Sequence, residues 1–214
     1  NHLRGDNVID ALVNVLASSV GSLTNPLKLA NTFNSKGIKV TDKTLRVYID
    51  YLLDAFIIAK ADRYDVKGKH YIATPAKYYF SDIGLRNARL NFRQQEENHI
   101  MENIIFNELL VRDFDVDVGV VKHSEAQKNG KRLLKSYEID FVCNKGSERY
   151  YIQSAFSIPD EAKMKQETNS LRLIPDSFKK FVIVKSDIKP WRTEEGIVVM
   201  GLIDFLLDQN SLNL

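Results

Sequence analysis

An α/β fold in two parts is what this sequence predicts, on three observations. Apolar residues recur at three- and four-residue steps through the first quarter of the chain, the period of a helix face. From Ala55 the pattern changes to the β-rich, alternating one of strands. Beyond Arg93, short runs rich in Val, Ile and Tyr are interleaved with helical stretches, the order expected of a sheet with helices packed on it.

Each element has a local cause. Asp6 or Asn7 caps a first helix running to about Val20, with Val8, Leu12, Val15, Leu16 and Ser19 on one stripe and Gly21 as its stop. Asn25-Pro26 opens a second helix with Leu27, Leu29, Ala30 and Phe33 on its apolar face, ended by Gly37. Thr41-Asp42-Lys43 opens a third, on which Leu45, Tyr48, Ile49, Leu52 and Leu53 recur at helical steps. Ala55 to Tyr64 then reads as a strand, Asp65 to Lys69 as a turn, and His70 to Ala73 as the antiparallel return. Three helices followed by a hairpin is the layout of a winged helix. Lys77 to Asp82 reads as one more strand, leading through a Ser81 or Asp82 cap to a short helix ending at Arg89. The polar stretch Asn91 to Asn98 sets the boundary, giving a winged-helix domain over 1–93 and a second domain over 94–214.

In the second domain the spacing predicts a helix from Glu97 to Asp113 and a strand from Val116 to Lys122. Tyr137–Cys143 and Tyr150–Phe156 read as paired strands joined by a turn at 144–147. A helix from Pro159 to about Leu173, strands at Lys180–Lys185 and Gly196–Met200, and a closing helix at Leu202–Leu207 complete the chain.

An apolar share of 44% with 27% charged residues is that of an ordinary globular protein able to bury a core. No apolar run approaches the roughly 20 residues that span a bilayer, and the polar start Asn1-His2-Leu3-Arg4 lacks signal-peptide character. A cytoplasmic protein with no membrane partner is expected. The single Cys143 cannot form an internal disulfide and reads as a buried small hydrophobe. Residues 1–93 carry 14 Lys and Arg against 8 Asp and Glu, while the remainder carries 16 against 20, so the first part is the better nucleic-acid surface. His2, His70, His99 and His123 show no zinc-ligand spacing, and no phosphate-cradling Gly-rich loop is present.

Glu102 falls in the middle of an apolar stripe made by Ile105, Phe106 and Leu109, so its carboxylate should face the sheet and need a donor or a metal. Asp140, with Glu138 on the same strand face, and Gln153, with Ala155, add polar groups to the two central strands. This helix-strand-strand arrangement resembles the PD-(D/E)XK nuclease superfamily, whose fold is a restriction-endonuclease-like α/β domain with a central mixed sheet. The resemblance implies Glu102, Asp140 and Gln153 as a catalytic centre, with Glu102 and Asp140 as ligands of Mg²⁺ or Mn²⁺. The chain departs from the pattern where an acid and a lysine are expected, at Gln153 and Ala155. Lys163 or Lys165, with Glu167, are the nearest replacements in sequence. The centre is therefore expected to be vestigial, the alternative being a metal-dependent DNA nuclease using Glu102 and Asp140.

In a helix-turn-helix layout the third helix presents Lys43, Thr44 and Arg46 to DNA, and Lys67 and Lys69 at the hairpin turn approach phosphates. Asp42, Asp50 and Asp54 oppose this, so a protein-docking role is the other expectation.

A longer series of motifs carries a second resemblance. It runs from Pro26 to Ile58, through Arg63–Lys69 and Lys77–Arg86, and on to Glu102-Asn103, Glu138–Val142 and Tyr151-Ile152-Gln153. It is similar to the C-terminal region of bacterial and archaeal AAA-type ATPases that carry a winged helix and a domain of unknown function. The resemblance implies an ATP-binding core ahead of residue 1 as a partner, and a DNA- or protein-binding role for this region.

Overall fold

The computed structural model describes residues 2–93, 96–126 and 130–214, with side chains from Asn7 onward. The elements in order are α1 (His2–Ser18), α2 (Pro26–Ser35), α3 (Asp42–Asp54), β1 (Ile58–Asp65), β2 (His70–Phe80), α4 (Ile83–Arg89) and α5 (Glu97–Val111). They continue with β3 (Asp115–Ala126), β4 (Arg132–Lys145), β5 (Glu148–Ala155), α6 (Glu161–Arg172), β6 (Lys179–Val184), β7 (Trp191–Arg192), β8 (Val198–Gly201) and α7 (Leu202–Leu207). Among the described residues this is an α/β chain of seven helices and one mixed sheet of eight strands, in the order β2-β1-β3-β4-β5-β6-β8-β7. Pairs β1/β3, β5/β6 and β6/β8 are parallel, and β3/β4, β4/β5 and β7/β8 are antiparallel.

Two compact units are present, Asn1–Ala61 with Ala73–Ile104, and Asp62–Ile72 with Ile105–Leu214. Their division falls inside α5 and inside the hairpin, whereas composition turns polar at Arg93. A run of polar residues marks a solvated connection, and the edge of a packed unit need not coincide with it.

In the first unit the helix starts are fixed locally. Asn25 Oδ1 accepts from Lys28 N at 2.8 Å, Thr41 Oγ1 from Thr44 N at 3.2 Å, and Asp82 Oδ1 from Leu85 N at 2.7 Å. Leu12, Leu16, Leu29, Phe33, Leu45 and Ile49 are buried and form the helical core. Between α1 and α2 the chain lies antiparallel along β2, since Thr24 and Ala76 exchange both backbone bonds at 2.9 Å. The sequence separates His70–Ala73 from Lys77–Asp82; the structure joins them as β2 and ends the strand at Phe80. Thr74-Pro75 reads as a break because proline donates no N–H, but β2 is an edge strand of the sheet and tolerates it.

In the second unit, one sheet face packs Val121, Ile139, Val142, Tyr151 and Val182 with Leu171 of α6. Ile139 and Val142, three residues apart, share this face because β4 bulges. Asp117 pairs Val142 and Gly119 pairs Ile139, so Asp140 and Phe141 both stand against Val118. Gly119 is required at this point, since a Cβ there would lie 2.8 Å from Val142 Cγ2 and 2.9 Å from Ile139 Cβ. On the other face Phe106 of α5 meets Phe141 at 6.3 Å between centroids, and Phe114 meets Tyr150 edge-on at 5.5 Å. Cys143 is fully buried, and burial pushes its thiol well above the ordinary range.

Candidate functional site

Glu102 projects from α5 toward β2 within the first unit. Its Oε1 accepts from Lys77 Nζ at 2.8 Å and from Tyr79 Oη at 2.6 Å. The Lys77 side chain is 4% exposed and that of Glu102 12%, so this is a desolvated ion pair. Gly21, at φ +72, leaves the space the carboxylate occupies: a Cβ there would stand 3.1 Å from Oε1. One residue along α5, fully buried Asn103 donates to Phe80 O at 2.8 Å and accepts from Phe80 N at 2.9 Å, acting as a peptide partner for the end of β2. From sequence Glu102 is expected to lean over the strands of Asp140 and Gln153; its carboxylate is instead bonded to Lys77 and Tyr79 of β2. Lys77 sits in an aromatic run, where a lysine reads as solvated.

Asp140 lies in the second unit and is buried. Its Oδ2 accepts from Ser154 N at 2.8 Å, one step past the end of the β4/β5 ladder at Phe141 and Ile152. Gln153 shares the face of Tyr151 and Ala155, and its Oε1 is 3.5 Å from Ser170 Oγ of α6. By alternation from Ile139, Asp140 projects from the other face. Glu102, Asp140 and Gln153 thus have separate polar partners. Lys163 pairs with Glu167, and Lys165 with Glu161, both along α6 itself. Among the described residues, no group of three His, Cys, Asp or Glu side chains is placed to hold a metal ion.

A second buried acid, Asp117 on β3, is one that sequence reasoning missed. Tyr71 Oη donates to its Oδ2 at 3.0 Å. Burial raises the Asp117 pKa, helped by Asp62 and Asp115 and opposed by the Tyr71 bond and Arg149. A folded-state pKa above the unfolded one means that the native state holds this proton more tightly. Its stabilising contribution is complete below the unfolded carboxylate value, about 3.9, and is lost as pH rises through the raised value. Asp117→Asn keeps an acceptor for Tyr71 and removes the buried charge. It is expected to raise the urea midpoint at pH 7, with a gain that shrinks toward pH 4; a gain independent of pH would contradict this assignment.

On α3, Lys43 and Arg46 are exposed, as a contact surface requires. Thr44 is half-buried and its hydroxyl is 3.0 Å from Thr41 Oγ1, so it belongs to the helix cap. The same helix exposes Val47, Asp50, Tyr51 and Asp54. Lys67 and Lys69 are exposed at the β1–β2 turn, in the second unit. That turn is closed by Asp65, which accepts from Gly68 N at 2.8 Å and Lys122 Nζ at 2.9 Å.

Residues 4–96 match the family model of a domain of unknown function, DUF8612. An uncharacterized protein of Haemophilus influenzae is 36% identical over 206 residues, covering 96% of this chain and 47% of that protein. Uncharacterized protein MJ1544 of Methanocaldococcus jannaschii is 26% identical over 166 residues, covering 77% of this chain and 34% of that protein. The crystal structure of protein VC1899 from Vibrio cholerae aligns with a TM-score of 0.32 at 12% identity, over 92% of this chain and 53% of that one. The chain therefore spans less than half the length of each of these two curated relatives.

Proposed function

We propose that this chain is a DNA-binding module, the C-terminal part of a larger AAA-type ATPase, with a winged helix followed by a nuclease-like domain that does not cleave. The observation that carries the reading is the order of elements in the first part of the chain. Helices α2 and α3 are followed by a two-stranded hairpin, the Thr24–Ala76 bridge supplies the extra strand segment of a winged helix, and α3 holds Lys43 and Arg46 in solvent. The greater length of both relatives supports a further region in the whole protein, where the AAA-type resemblance places ATP binding.

The nuclease-like part is read as scaffold because its polar groups have structural partners. Glu102 neutralises Lys77, Asp140 takes a backbone amide, and Gln153 brings no charge. Hard divalent ions are held by several oxygen ligands carrying charge, which this set does not offer. Binding through α3 is tested with a duplex DNA and fluorescence anisotropy. Lys43→Ala with Arg46→Ala is expected to weaken binding about tenfold at 100 mM salt and to lower the slope of log K against log salt by about two. If both quantities are unchanged, α3 is not the DNA-reading element, and its exposed Val47 and Tyr51 become a protein-docking face.

A further inference from the structure

The β3–β4 pair runs well beyond the packed part of its sheet. Lys122–Ala126 pairs with Arg132–Ser136, Ala126 opposite Arg132 and Lys122 opposite Ser136. Every residue from Gly130 to Ser136 is exposed, whereas a strand with one packed face would alternate between buried and exposed. On the β3 side Lys122, Ser124 and Ala126 are exposed while His123 and Glu125 are half-buried, so the two strands form a ribbon wetted fully on one face and partly on the other. Its charge is one-sided: Lys122, Lys131, Arg132 and Lys135 against Glu125, within a part of the chain that is acidic as a whole. Glu125 already pairs with Lys135, and Lys122 with Asp65, while Arg132 has no ion pair among the described residues. Leu133 and Leu134 are 44% and 65% exposed and point to opposite faces, a placement that serves no folded core.

We propose that this ribbon is a second DNA contact, seated in the major groove of a duplex with Arg132 and Lys131 on the phosphates. The match rests on shape and charge. A two-stranded ribbon fits a groove about 12 Å wide. The cations meet the phosphate backbone, and Leu134, on the same strand face as Arg132 and the more exposed of the two leucines, finds an apolar partner in a thymine methyl group. An A-form RNA duplex, whose major groove is deep and narrow, does not admit the ribbon. The inference shares its partner with the DNA-binding reading of α3 but uses none of its residues.

The test is anisotropy of the 214-residue chain with a 20-base-pair DNA duplex between 50 and 200 mM salt, in four forms: parent, K131Q with R132Q, L133A with L134A, and K43A with R46A. The two ribbon cations should account for a fall of about two in the salt slope and a loss of affinity of about tenfold. The leucine pair should weaken binding severalfold with the slope unchanged. All four ribbon positions are exposed, so these changes leave folding intact. An unchanged slope and affinity in K131Q with R132Q overturns the proposal, as does equal affinity for an RNA duplex of the same sequence. Loss in the ribbon variant with no loss in K43A with R46A supports the ribbon and removes α3 instead, so the two readings fail separately.

Discussion

Glu102→Ala is expected to destabilise the protein by about 4 kcal/mol, the range found when one member of a buried ion pair is removed. The size follows from Lys77, whose side chain is 4% exposed and whose ammonium would lose its counter-charge 2.8 Å away. Tyr79 Oη would lose its acceptor in the same substitution. Glu102→Gln keeps an acceptor for Tyr79 and restores part of the loss, and Glu102→Leu combined with Lys77→Met, which removes both charges, should recover most of it. The urea midpoints of the three variants separate the roles. A carboxylate kept for chemistry rather than packing would leave the Ala variant within about 1 kcal/mol of the parent, the median worth of an exposed pair.

What the sequence could and could not disclose follows from where each signal resides. Helix caps were legible at Asn25, Thr41 and Asp82, because a cap is a matter of three consecutive residues and its side chain bonds locally. Stripes were legible for the same reason, as with Leu45, Ile49 and Leu52 on α3. The outer parts of β3 and β4 were not, since a ribbon wetted on both faces has no reason to alternate polar and apolar residues, and strand reading depends on that alternation. The partners of Glu102 were equally out of reach. Lys77 and Tyr79 lie more than twenty residues away in sequence, and only the fold of β2 beside α5 brings them together. Asp140 and Gln153 do lie on the paired strands β4 and β5, but the bulge opposite Val118 shifts the local phase of β4, and no residue type announces a bulge reliably. Asp117 did carry a usable signal, an acid between Val116 and Val118 in a run that reads as a strand.

Arg86→Ala is expected to cost about 3 kcal/mol, through two effects that a second substitution separates. Arg86 is 1% exposed, and its Nε donates to Ala17 O at 2.9 Å, satisfying a carbonyl in the last turn of α1, where no intrahelical donor is available. α4 has only seven residues, too few to be stable by itself, so this bond and the neighbouring Arg89 pair with Asp10 fix it against α1. Burial lowers the Arg86 pKa, opposed by Glu96, which marks a cation held where water is scarce. Truncation to alanine opens a cavity and strips the carbonyl. Arg86→Met fills most of the volume and removes the buried charge, so the loss of hydrogen bonds, that to the Ala17 carbonyl and that to Asn87 Oδ1 at 3.1 Å among them, should remain, at about 1–2 kcal/mol. Equal losses for Ala and Met would assign the whole effect to hydrogen bonding, and no loss in Met would assign it to volume. Because the Ala17 carbonyl sits at the end of α1 with no other helical donor, an intermediate value is the outcome this geometry requires.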